Sequence, residues 1–95
     1  MNKMRFIVQP HIARSFSLFL LNENTGEMVA AYQDNIFNEN VAVEKVKELC
    51  EIKNLAENYM IVIAESPKAI QSKTYKAFKA DKFFKNVEII IAEEV

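Results

Sequence analysis

The fold of this chain is decided by the stretch Met60-Ile61-Val62-Ile63-Ala64 and by Glu65-Ser66-Pro67, which follows it. A short, continuously apolar run is typical of a central strand that is buried on both faces. Ser66 then offers a helix cap, and Pro67 suits the first turn of a helix, where an amide donor is not needed. The stretch therefore predicts a central strand that leads directly into a helix.

The segments before this stretch predict three strands and a helix. Alternation of apolar and polar residues predicts the first strand, which we expect Pro10 to end because proline has no amide donor. Gly26 lies in a hairpin loop, where it can take the left-handed conformation. Asn38 or Asn40 caps the helix, which runs to about residue 53, or to 57 at most. The strands are predicted over residues 3–9, 15–21 and 28–33.

The segments after it complete the order βββαβαβ. The second helix carries an inner stripe of Ile70, Thr74, Ala77 and Phe78, and it ends between residues 79 and 86. The last apolar run, residues 87–92, predicts a fifth strand. A meander of strands one to three, with strands four and five parallel beside strand one, gives the sheet order 3-2-1-4-5.

This element order resembles the core of the ribonuclease H-like fold. The resemblance covers nearly the whole chain and implies a mixed α+β sheet. Both crossovers run in the same direction and should be right-handed, so we expect two helices on one face of the sheet. Larger members of that fold usually cover the other face with a further helix after the fifth strand.

The second face of the predicted sheet is apolar as well. On the second strand, Phe19 and Leu21 are expected to point to the face opposite that of Leu18 and Leu20. On the fifth strand, Ile90 is expected to point to the face opposite that of Ile89 and Ile91. A large uncovered apolar face marks an interaction surface. We therefore expect Phe19, Leu21 and Ile90 to bind a partner, which is a second copy of the chain in a homodimer or another protein.

The composition indicates one ordinary globular domain over residues 1–95, with 51% apolar and 26% charged residues. No apolar run is long enough to cross a bilayer, and the N-terminus leads into a strand instead of a signal peptide. We expect a cytoplasmic protein. The one cysteine, Cys50, is expected to be a small buried core residue. A closed zinc site needs four ligands, mostly cysteine and histidine, and the chain has only one of each. The one glycine excludes the usual phosphate loops and dinucleotide turns, so no cofactor is expected.

Catalysis is not expected either. A ribonuclease H-like nuclease needs carboxylates on its first strand to hold metal ions, and residues 4–8 contain none. Glu65 stands at the end of the fourth strand, and Glu44 or Glu48 could face it, but glutamates on a helix are ordinarily solvated. The sequence predicts a protein that is not an enzyme.

Two further segments predict alternative functions. His-Ile-Ala-Arg-Ser-Phe, which begins at His11, resembles the His-Phe-Gly-Arg-Ala segment of the dinitrogenase iron-molybdenum cofactor biosynthesis domains. The resemblance implies a metal-cluster carrier that uses His11 beside Arg14. An exposed loop histidine without a metal is the alternative.

Residues 66–86 carry a charge of +5 against −3 for residues 1–65, with aromatic residues interleaved among the lysines. Such a segment suits a nucleic-acid-associated accessory protein, although a pI of about 5.8 argues against general nucleic-acid binding. The lysines that would contact nucleic acid, or another partner, are Lys73, Lys76, Lys79 and Lys82. A solvated helix whose aromatic residues serve the core is the alternative.

Together these patterns predict a small non-enzymatic binding or regulatory protein that acts through protein–protein contacts. Inhibitors encoded by phages and mobile elements have this profile. The metal-cluster carrier and the nucleic-acid accessory protein are the two alternatives.

Overall fold

The structure, a computed structural model, describes residues 3–11, 15–32 and 38–92. Three strands come first, followed by two helices that alternate with two further strands, so the predicted order βββαβαβ is confirmed. The strands are β1 (Met4–His11), β2 (Ser15–Asn22), β3 (Met28–Tyr32), β4 (Tyr59–Ile63) and β5 (Glu88–Ile91). The helices are α1 (Glu39–Ile52) and α2 (Lys68–Ala80), and a 3₁₀ turn, Lys82–Phe84, follows α2.

The five strands form one sheet in the order β3-β2-β1-β4-β5. β2 is antiparallel to both β1 and β3, whereas β4 is parallel to β1 and β5 is parallel to β4. The predicted mixed α+β sheet of order 3-2-1-4-5, with a ribonuclease H-like core, is confirmed. Neither α1 nor α2 has the length and apolar content of a bilayer-spanning segment.

The core lies between the two helices and one face of the sheet. On β1, Met4, Phe6 and Val8 point into it, and every second residue of β2 and β4 does the same, as side chains alternate along a strand. The ring of Phe6 meets that of Tyr59 edge to face, with centroids 5.4 Å apart. Each large apolar side chain that is fully buried contributes about 1.5 to 3 kcal/mol. Both helices share this core, to which they contribute Ala42, Val43, Val46, Leu49, Cys50 and Phe78.

The prediction that Pro10 ends the first strand is wrong. β1 continues to His11, and Pro10 pairs with Phe16 of β2. The amide of Met4 and the carbonyl of Val8 both bond toward the β4 side, to Asn58 and Ala64. Backbone groups alternate in direction along a strand, so the amide that Pro10 lacks would also point to that side. β4 has already ended there, and no ladder bond is lost.

The two helix starts differ from each other. Asn38 caps α1, because its Oδ1 accepts from the amides of Asn40 and Val41 at 2.9 and 3.0 Å, and this prediction is confirmed. The prediction that Ser66 caps α2 is wrong. Pro67 occupies the cap position and α2 begins at Lys68, so Ser66 lies one residue too far away. Its hydroxyl donates instead to the carbonyl of Ala64, at 3.3 Å.

The buried stripe of α2 also differs from the prediction. Thr74 and Phe78 are buried as expected, but Gln71 is buried as well, whereas Ile70 and Ala77 are only half-buried. The side-chain amide of Gln71 donates to the carbonyls of Ala64 and Ala92 at 3.1 and 3.0 Å. A polar side chain can be buried here because it ties the start of α2 to the ends of β4 and β5.

Candidate functional site

The face of the sheet opposite the helices carries an unbroken apolar row, which we call the central row. In register, Ile7 of β1 pairs with Phe19 of β2 on one side and with Val62 of β4 on the other. Phe19 then pairs with Ala31 of β3, and Val62 pairs with Ile90 of β5. The central row therefore crosses all five strands, from one edge of the sheet to the other. We call this side of the sheet the open face.

A mixed row borders the central row on one side. It places Leu21 and Met60 on either side of Arg5, with Met28 and Glu88 at the sheet edges. The guanidinium of Arg5 forms an ion pair with the carboxylate of Glu23. Its Nε is buried and has no hydrogen-bond partner among the described residues. This border therefore extends the apolar surface and ends it with a charged pair.

Polar side chains border the central row on its other side. His11 Nε2 lies 2.8 Å from Ser17 Oγ, and the Gln9 amide donates to the carbonyl of Glu65 at 2.8 Å. An apolar centre with a polar rim is the usual arrangement of a protein–protein interface. The open face has an apolar centre across all five strands and a polar border beside β1 and β2.

The structure brings the three apolar residues predicted as a binding surface to this one face. Phe19 and Ile90 are members of the central row, and Leu21 lies beside it. Ile90 is 37% exposed. The sequence prediction missed Ile7 and Val62, although the alternating pattern of β1 already assigns Ile7 to the face opposite Phe6. Their membership becomes clear once the strand register joins them to Phe19.

The four predicted lysines lie on the helix side of the molecule, away from the open face. Lys73, Lys76 and Lys79 are exposed on α2, and Lys82 is exposed in the 3₁₀ turn. The ammonium of Lys73 lies 3.6 Å from the carboxylate of Glu39 on α1. The two predicted sets of site residues therefore do not form one site.

The aromatic residues between those lysines serve mainly the core. Phe78 and Phe84 are buried and pack with ring centroids 5.4 Å apart, and Tyr75 is half-buried. Phe83 is 43% exposed, with the ammonium of Lys47 5.9 Å from its ring centre. In this part of the chain the structure does not align these rings as a platform on which bases could stack.

Lys47 and Asp81 form a contact that the sequence prediction missed. The Lys47 ammonium lies 2.5 Å from the Asp81 carboxylate and 3.4 Å from that of Glu44. The hydrogen bond to Asp81 is the main cause of the raised pKa of Lys47. Hydrogen bonds from Lys47 and from the Phe83 amide lower the pKa of Asp81. The pair joins α1 to the end of α2.

We expect Asp81→Asn to lower the free energy of unfolding by about 0.5 to 1 kcal/mol at pH 7, the value of a partly exposed pair. Because the folded pKa of Asp81 lies below its unfolded value of about 3.9, the contribution is present above that value. It is lost as the pH falls through the folded pKa. Urea unfolding at pH 7 and at pH 3 measures the difference.

The matched control is Glu48→Gln, which breaks the exposed pair with Lys45 at 3.5 Å and should cost less. An equal loss from Asp81→Asn at both pH values would contradict the electrostatic origin.

Cys50 is a buried member of the core, as predicted. Burial raises the pKa of its thiol, and burial likewise raises the pKa of the Tyr59 hydroxyl that faces it. A protonated, buried thiol is a poor nucleophile. Cys50 therefore acts as a small apolar residue.

The residues of the predicted cluster site are only partly described. His11 lies at the end of β1 and contacts Ser17, as given above, whereas Arg14 lies outside the described residues. Across residues 3–11, 15–32 and 38–92, no three histidine, cysteine, aspartate or glutamate side chains converge in a way that could hold a metal ion.

No protein-family model and no curated protein matches the chain. Among solved structures, the chain is similar to a Bacteroides thetaiotaomicron protein with an actin-like ATPase fold and unknown function. The match has a TM-score of 0.70 and an identity of 8%, and it covers 96% of this chain and 33% of that one. The chain thus spans about a third of the length of that protein. At this identity the likeness shows the fold alone, and it agrees with the ribonuclease H-like core of the sheet.

Proposed function

We propose that this protein is a small non-enzymatic binding or regulatory protein that acts through protein–protein contacts of its open face. The observation that carries the proposal is the central row, which runs without a polar interruption across all five strands. A contiguous apolar patch with a polar rim marks a surface that another molecule covers.

Phe19 is the natural anchor of such a contact. It lies next to the centre of the row, between Ile7 and Ala31, and aromatic side chains near the centre of an interface contribute most of its binding energy. Water is displaced from the row when a partner covers it, and burial of apolar surface contributes about 25 cal/mol per Å².

The other two functions predicted from the sequence have weaker support. A metal-cluster carrier would use His11, but its Nε2 already lies at hydrogen-bonding distance from Ser17. A nucleic-acid accessory protein would use the lysines of α2, but two of the interleaved aromatic residues are buried in the core. Both functions stay predictions, and a protein contact through the open face explains more of the described surface.

Site-specific photo-cross-linking in the organism that encodes the protein tests the proposal. A photoreactive phenylalanine analogue at position 19 lies on the open face, and the same analogue at position 83 is the matched control on the helix side. We expect a covalent protein–protein product from position 19 and much less from position 83. A product from position 83 alone, or from neither position in a folded protein, would contradict the proposal.

A further inference from the structure

We propose that the occupant of the open face is a second copy of this chain, packed sheet to sheet about a two-fold axis that runs parallel to β1. The inference rests on the proposed function and names its partner. Two features of the open face support it, namely its area and the order of side-chain sizes along the central row.

The area of the open face suits a dimer. The five strands contain 30 residues, and at a rise of about 3.3 Å per residue and a strand spacing of about 4.8 Å they span roughly 480 Å². Two facing copies therefore bury about 1,000 Å² in total. A stable, specific interface needs about 1,000 Å² or more, so the open face is large enough for a dimer without any additional segment.

The central row is self-complementary in size. Ile7 lies at its middle, and an axis parallel to β1 through Ile7 places β2 over β4 of the partner and β3 over β5. Phe19 then faces the partner's Val62, and Ala31 faces the partner's Ile90. Large side chains meet smaller ones in every pair away from the axis, which lets the two faces interdigitate. An axis along the row would instead set Phe19 against its own copy and Ala31 against its own copy.

Sedimentation equilibrium at micromolar concentration tests the dimer. We expect the parent chain to have twice the mass of 11.0 kDa. Phe19→Glu buries an unpaired charge in the interface and should raise the dimer dissociation constant at least about 100-fold. Ile90→Lys should do the same, and this variant should still fold because Ile90 is 37% exposed at the edge of the sheet. The matched control Phe83→Glu should stay dimeric, and circular dichroism confirms that each variant folds.

Chemical cross-linking tests the axis. Facing sheets lie about 10 Å apart, too far for a disulfide, which needs Cα atoms within about 7 Å, so the reagent is a short bismaleimide. Ile7→Cys should cross-link to its own copy. Phe19→Cys alone should not, whereas an equimolar mixture of Phe19→Cys and Val62→Cys should. The parent chain is the control, because Cys50 is only 2% exposed.

The outcomes separate this inference from the proposed function. A monomeric parent chain, or a dimer that withstands both Phe19→Glu and Ile90→Lys, overturns the dimer. Efficient coupling of Phe19→Cys to itself overturns the axis. A monomer whose position 19 cross-links to a different protein overturns the dimer and supports the proposed function, and a monomer without any product from position 19 overturns both.

Discussion

Replacing Phe78 with alanine is expected to lower the free energy of unfolding by about 3 to 5 kcal/mol, the usual cost of truncating a buried phenylalanine. The side chain is fully buried, and its ring packs on Phe84, which continues the core beyond the end of α2. A chain of 95 residues has a stability of roughly 5 to 14 kcal/mol, so this one change removes a large part of it. Urea unfolding monitored by circular dichroism measures the loss.

Two control variants define the origin of that loss. Phe78→Leu keeps most of the volume and should cost less than about 2 kcal/mol. Phe83→Ala removes a ring of the same size that is 43% exposed, and it should cost less than about 1 kcal/mol. If Phe78→Ala cost no more than Phe83→Ala, the contact of α2 with the sheet would not depend on this side chain.

Replacing Gln71 with leucine is expected to cost about 1 to 2 kcal/mol, although leucine fills nearly the same space. The Gln71 amide donates to the carbonyls of Ala64 and Ala92, and a carbonyl that is partly buried without a donor loses free energy at the lower end of the range of about 1 to 3 kcal/mol. The Ser66 hydroxyl also bonds to the carbonyl of Ala64, so most of the loss comes from Ala92. Thermal and urea unfolding of the variant measure it.

Gln71→Glu gives a pH signature that Gln71→Leu lacks. An ionised carboxylate cannot donate and repels the two carbonyl oxygens, so burial beside them raises the folded pKa of the new carboxyl above its unfolded value of about 4.3. Because the folded state then binds the proton more tightly, stability falls as the pH rises through the range between those two values. The variant should be closer in stability to the parent at pH 4 than at pH 7. A pH-independent loss would contradict the placement of this side chain against the two carbonyl oxygens.

The strand order could be predicted from the sequence because alternation along a strand reports burial, a local property. Three details could not, and the first two depend on a distant part of the chain. Pro10 stays in β1 because β4 ends before it, and Gln71 is buried because two strand ends meet beside it. Ser66 fails as a cap because the helix begins one residue later than Pro67 suggests.

Only part of the candidate site, likewise, could be predicted from the sequence. The apolar character of Phe19, Leu21 and Ile90 on the second face was predictable from β2 and β5 alone. The inclusion of Ile7 and Val62 required the pairing of β1 with β4, which joins segments far apart in sequence. The assignment of most aromatic residues near α2 to the core required the turn that follows the helix, which directs Phe84 inward and leaves Phe83 outside.

The place of β1 at the centre of the sheet has a kinetic consequence. Its antiparallel partner β2 follows within a few residues, but its parallel partner β4 pairs Ile63 with Val8 across more than half the chain. The β1–β2–β3 meander can form at once, whereas closing that long loop is entropically slow. A ribosome delivers residue 63 well after the meander is complete, so the nascent chain carries a three-stranded sheet in which β1 is an unpaired edge strand. Docking of β4 on β1 is then the step that closes this edge against pairing with another chain.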